Sequence, residues 1–235
     1  GHAETKAALC ARHGVRYVVL ERIPHAGLKP RSTTALRTEC TIPFRLDLAG
    51  GWLDQPFVSK HHPGSVLTVS IEPTHDFNDR SGMSSSTRRK AIALWRTHLP
   101  DGDREQLAQV LFAFENPPGT VEISGSQDSI GIVYPGLNRL HYTGGYWPER
   151  IDSVNDDAVL SFLEEHLQLV PLGPRQDGYS VLSDTRIDAA GAKALADAAD
   201  ACWNAILVRD AAAFGAAFTA SFDAHRVARP SAPGK

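Results

Sequence analysis

An α+β fold is predicted by two alternating strand patterns, four amphipathic helical patterns and the Gly/Pro breaks between them. Ile42, Phe44, Leu46 and Leu48 recur at a spacing of two, as they do along a strand with one apolar face. Residues 65–71 interleave apolar with small polar side chains and predict a second, half-buried strand. Helical spacing governs 85–97, 104–114, 189–208 and 211–223.

In chain order, residues 1–37 read as helix, strand and loop. Helical residues 4–12 end at Gly14, 17–20 is a short buried strand, and Ile23-Pro24 opens a turn. From Thr38 strands alternate with Gly and Pro punctuation, and Pro73 closes the second strand. The helix at 85–97 carries Ala91, Leu94 and Trp95 on one face; the helix at 104–114 carries Leu107, Val110, Leu111 and Phe114. Asn116-Pro117-Pro118-Gly119 is a hard stop. Residues 120–123 predict a strand leading into Ser124-Gly125-Ser126-Gln127-Asp128, and 131–140 pass through Pro135-Gly136 into a further turn and strand.

Breaks cluster at 144–155, and a domain boundary is expected at 148/149. Beyond it a helix capped at Asp156 runs to His166, followed by a strand at 167–172 and a polar loop at 173–178. Of the last two helices, one buries Leu195, Ala199, Cys202 and Ile206. The other shows Phe214, Phe218 and Phe222 at a four-residue step and is expected to turn all three to the core.

The 235 residues are 42% hydrophobic, enough to bury a sizeable core in one large domain or two small ones. A net charge of −3 carries no electrostatic footprint for nucleic acid or an anionic membrane, so neither is expected as a partner. Cys10, Cys40 and Cys202 are odd in number and far apart, which argues against a disulfide framework. With no apolar run of membrane-spanning length and no leader pattern, a cytoplasmic location is expected; homo-oligomerisation stays open. The ten histidines do not fall at metal-ligand spacings.

Three segments point to chemistry. In Pro43-Phe44-Arg45-Leu46-Asp47-Leu48-Ala49-Gly50-Gly51-Trp52-Leu53-Asp54 a strand breaks at Gly50-Gly51, where a ligand can approach the backbone, with Arg45 and Asp54 flanking. Ser81-Gly82-Met83-Ser84-Ser85-Ser86-Thr87 opens a helix, whose unpaired amides and positive dipole end favour an anion. The third is Ser124 to Asp128. Together they resemble the GHMP small-molecule kinases, the superfamily of galactokinase, homoserine kinase, mevalonate kinase and phosphomevalonate kinase. The fucose and heptose sugar kinases, with Pro-x-Arg-x-x-x-Ala-Gly-Gly-x-x-Asp as first motif, are the most similar branch.

That resemblance implies a GHMP-kinase-like two-layer domain at 38–148, then a partial ferredoxin-like α+β domain at 149–235. It implies ATP and Mg²⁺ as cofactors and a sugar or sugar phosphate as acceptor. Asp128 would orient or deprotonate the attacking hydroxyl and Arg45 would stabilise transferring charge. Gly82, Met83, Ser84, Ser85 and Ser86 would bind the nucleotide phosphates. Asp54, Gly50 and Gly51 would meet the substrate, and Glu115 with Ser85 or Ser86 would hold the metal. The family's third motif, Gly-Ala-Gly-Gly-Gly, has no counterpart, and the stretch between the first two motifs is shorter than in these kinases.

Arg31-Ser32-Thr33-Thr34-Ala35-Leu36-Arg37 is similar to the closing segment of cytidylyltransferase-type nucleotidyltransferases, which implies a terminal unit of such a domain at 1–37. The His-x-Gly-His motif of that family is missing. Taken singly, each segment also has an ordinary explanation. The serines are N-caps, Arg45 is an ion-pair partner, Asp54 a turn residue, Asp128 a helix cap, and Arg88-Arg89-Lys90 a solvated helix face. Trp52, Trp147 and Trp203 read as core packing. Two other functions compete: a non-catalytic sugar-binding or regulatory kinase-like module, and a fragment of a nucleotidyltransferase.

Overall fold

Four strands pair antiparallel, each with its neighbour in sequence: β1 (Phe44–Ala49), β2 (Gly64–Ile71), β3 (Leu137–Tyr142) and β4 (Arg150–Val154). The computed structural model describes residues 8, 10–14, 40–73, 83–170 and 187–227. The chain divides into two compact units, Gly1–Glu39 and Cys40–Lys235. In the first, the described residues end a helix at Arg12, and Gly14 takes the left-handed conformation of a helix stop, at φ +67°. The expected strand at 17–20 and the segment 31–37 lie outside the described residues, as do Gly82 and the loop at 173–178.

In the second unit, helices cover both faces of the sheet. The described helices are α1 (Pro56–Ser59), α2 (Ser85–Trp95), α3 (Arg104–Glu115), α4 (Ser126–Val133), α5 (Asp157–His166), α6 (Ala189–Val208) and α7 (Ala211–Val227). Val66, Leu140 and Tyr142 point to the face shared with α2, α3 and α4, where Ala91, Leu111 and Ile130 complete a core. Leu67, Val69 and Leu137 point to the opposite face, packed by Phe162 of α5, Cys202 and Ile206 of α6 and Phe214 of α7. The class is thus α+β, as expected. The boundary expected at 148/149 falls inside the sheet, because β4 pairs with β3 from Leu137↔Val154 to His141↔Arg150.

In β1, Arg45 pairs with Ser70 and Asp47 with Thr68, which puts both charges on the α4 side of the sheet. A bulge follows: register shifts between Asp47 and Ala49, so that Leu48 and Ala49 both join the core on the other face. The chain then turns at Gly50, at φ +76°. A Cβ there would collide with the Ser65 carbonyl oxygen, so glycine is required by the fold itself.

Several expectations are corrected. Residues 120–123 are not a strand; Val121 is almost fully exposed, and Asn116 holds the loop by accepting from the Ser124 N–H at 2.8 Å. The described residues 167–170 are not extended into a sheet either. On α3 the buried residues are Ala108 and Leu111, whereas Val110 and Phe114 are exposed. On α7 only Phe214 of the three phenylalanines is buried. A four-residue step drifts about 40° per step around a helix of 3.6 residues per turn, so Phe222 has left the inner face. Phe214, Ala217, Ser221 and Ala224 form that face instead.

Candidate functional site

β1 sends the Arg45 side chain beneath α4, where only glycine fits: a Cβ on Gly131 would collide with Arg45 Cγ. Arg45 is buried and its Nε donates to Ser84 Oγ at 2.7 Å. Its Nη2 forms an ion pair with Asp128 Oδ1. Ser84 also donates to Asp128 Oδ1 at 2.8 Å, closing a triangle of guanidinium, hydroxyl and carboxylate. Ser84 is the N-cap of α2 and adopts a left-handed conformation, φ +52° and ψ 30°. For a residue with a side chain that backbone costs on the order of 1 kcal/mol, and here it aims the hydroxyl into the triangle.

One turn further along α2, Thr87 donates to Glu115 Oε1 at 2.7 Å and lies 3.5 Å from Asp128 Oδ2. Glu115 closes α3, and its Oε2 is buried without a hydrogen-bond partner. Burial raises its pKa, opposed chiefly by the Thr87 hydrogen bond. Arg45 Nη1 is likewise buried without a hydrogen-bond partner and lies 3.8 Å from Asp47 Oδ2. Burial lowers the Arg45 pKa, and the surrounding carboxylates, led by Asp47 and Asp54, act against that shift.

Asp54 sits at the N-terminus of α4. It is 1% exposed, it accepts from the Gln127 backbone N–H, and a Cβ on Gly125 would collide with its carboxylate. Burial pushes its pKa up to about 7 against the pull of Arg45, and its Oδ1 lacks a hydrogen-bond partner. Tyr142, whose hydroxyl is 2.9 Å from Ser126 Oγ, is raised well above its ordinary value by burial and then by Asp54. Asp47 is raised by burial too, with Arg45 and then His225 opposing.

The expected residues are therefore gathered unevenly. Arg45, Ser84, Glu115 and Asp128 converge, and Asp54 lies beside Arg45. Met83 and Ser85 are buried at the start of α2 and Ser86 is exposed. The hydroxyl that meets Glu115 belongs to Thr87, not to Ser85. The space beside Gly50 and Gly51 is filled by Ser65, Asp47 and His225, so these glycines serve packing. Arg88 is not a solvated residue: it is buried, donates from Nε to the Ile42 carbonyl at 2.7 Å and lies over the Phe44 ring.

Sequence reasoning missed Thr87, Asp47 and the grip of α7 on the first motif. The Gly50 N–H donates to Ser221 Oγ at 3.2 Å, and His225 Nε2 lies 3.0 Å from the Gly51 carbonyl oxygen. Asp47 was findable, since it shares the strand face of Arg45 at a spacing of two.

Among the described residues no group of three or more His, Cys, Asp or Glu is arranged around a metal position. Glu115 and Asp128, bridged by Thr87 and with one orphaned oxygen on Glu115, fit Mg²⁺, which takes one or two protein carboxylates when phosphates and water complete its shell. No helix among the described residues is long and apolar enough to cross a membrane. Compared with family models and with curated proteins, the chain matches none.

Proposed function

We propose that residues 40–235 catalyse ATP-dependent phosphorylation of a hydroxyl on a sugar or sugar phosphate, as a GHMP-type kinase. The observation that carries this reading is the meeting of three distant segments in the Arg45–Ser84–Asp128 triangle, with Thr87 and Glu115 beside it. Asp128 is the acceptor for the attacking hydroxyl. A carboxylate paired with arginine is a weak base, which suits a loose phosphoryl-transfer transition state in which the proton leaves late. The acceptor oxygen bonds to the γ-phosphorus, the bond to the β-phosphate oxygen breaks, the proton passes to Asp128, and ADP leaves.

Arg45 stabilises charge on the transferring group, and the first-turn amides of α2 receive phosphate oxygens. Glu115, through its unpartnered Oε2, would hold Mg²⁺, which supplies charge neutralisation on the triphosphate when bound. Residues 1–37 are read as the end of a nucleotidyltransferase domain, which would activate the phosphorylated sugar in a following step.

The test is Mg²⁺-dependent ATP consumption with a panel of free and phosphorylated sugars. Turnover that vanishes in Asp128→Asn supports the reading; no turnover with any acceptor defeats it. A sugar-binding module without turnover is the second reading, favoured by the direct Arg45–Asp128 pair, in which each charge is already met within the protein. Sugar binding without ATP consumption decides for it.

A further inference from the structure

We propose that Thr87 is a positioning residue for the divalent cation: its hydroxyl clamps one oxygen of Glu115 and leaves the other free to ligate. The identity of the cation rests on the kinase reading above, whereas the clamp rests on geometry alone.

Thr87 is fully buried in the first turn of α2, where a β-branched side chain has few rotamers open to it. Its hydroxyl reaches Glu115, 28 residues away, and donates to Oε1 at 2.7 Å. A hydroxyl carries a single proton, so the longer contact with Asp128 Oδ2, at 3.5 Å, is left without one. Thr87 is thus bonded to the metal-binding carboxylate and only adjacent to the proton acceptor. Asp128 meets Arg45 and Ser84 through Oδ1, and its Oδ2 remains for the acceptor hydroxyl.

Glu115 stands where a carboxylate calls for a cation. It closes α3, at the negative end of the helix dipole, which disfavours an anion and favours a positive charge. Its Oε2 is buried and unpartnered, a costly state for an acceptor and one that a bound cation relieves. A free glutamate side chain would have to give up its rotamers as the ion binds. With Oε1 already held by Thr87 that ordering is done in advance, as outer-shell partners do for metal ligands.

The experiment titrates the full chain with Mn²⁺, with and without ADP, reading free ion by electron paramagnetic resonance; Mn²⁺ takes the same oxygen ligands as Mg²⁺, and the readout needs no turnover. Thr87→Val keeps the shape, removes the hydroxyl and should weaken Mn²⁺ binding about 10–100-fold, and Thr87→Ser should restore it. Thr87→Ala carries the same comparison if the valine variant does not fold. In a Glu115→Gln background Thr87→Val should cause no further loss, because the hydroxyl acts through that carboxylate. Undiminished affinity without the hydroxyl, no rescue by serine, a full further loss in the Glu115→Gln background, or a native chain that does not bind Mn²⁺ overturns the inference. Thr87-dependent binding without ATP consumption defeats the kinase reading and upholds the clamp. ATP consumption with Mn²⁺ affinity unchanged in the variants does the reverse.

Discussion

At Asp128 two demands meet: its Oδ1 closes the triangle with Arg45 and Ser84, and its Oδ2 faces Thr87. Asp128→Asn preserves shape and removes the acceptor charge, leaving Asp47 at 3.8 Å as the ion-pair partner of Arg45, so ATP consumption should fall about 10²–10⁴-fold, the usual worth of a positioned base. Circular dichroism should show the helices intact. Asp54 permits a different measurement, because its carboxyl is raised from the ordinary 3.8 to about 7 by burial. Between those values the folded chain binds more protons than the unfolded one. Its stabilising contribution is therefore greatest at acid pH and is lost as pH climbs to about 7. The melting temperature should fall from about pH 4 to pH 7, and Asp54→Asn should flatten that slope, worth up to about 1.4 kcal/mol per pH unit. An unchanged slope would show that Asp54 is not the group responsible. Arg45 and Asp54 were legible because Gly50-Gly51 between them breaks a strand. Thr87 was not, because a threonine in a first helical turn has local reasons to be there, and its partner Glu115 is distant in sequence.

Among the elements, α4 shows how a sequence signal can be right in place and incomplete in meaning. Gly125 and Gly131 bracket the helix start and middle, and each is needed for a side chain from the first motif, Asp54 and Arg45 respectively. Gly131→Ala should displace the Arg45 stem and cost about 1–3 kcal/mol by overpacking, read by chemical denaturation, with turnover falling further than stability. A substitution tolerated in both would mean that α4 does not rest on β1 as described. Helices α2, α5 and α6 were legible from periodicity and from the Asp156 cap, which accepts from the Ala158 and Val159 amides. The β4 strand was hidden: five residues among Gly, Pro and Asn carry too little alternation, and pairing with β3 alone makes them a strand. The reverse error at 120–123 has the same root, since β-prone residues without a partner stay a loop.

For the whole molecule, the antiparallel sheet and its two helical layers join the start of the second unit to its end. Residues 40–235 should unfold in a single cooperative transition, with tryptophan fluorescence and circular dichroism coincident; two separated transitions would restore the boundary at 148/149. Fold class was legible because strand and helix periods differ, whereas layer assignment depends on which residues meet across long distances in sequence. The hold of Ser221 on Gly50 and of His225 on Gly51 carries a consequence for synthesis on the ribosome. The turn at Gly50-Gly51 is held by residues translated some 170 positions later. A nascent chain therefore holds that turn without these two partners until its last described helix leaves the exit tunnel.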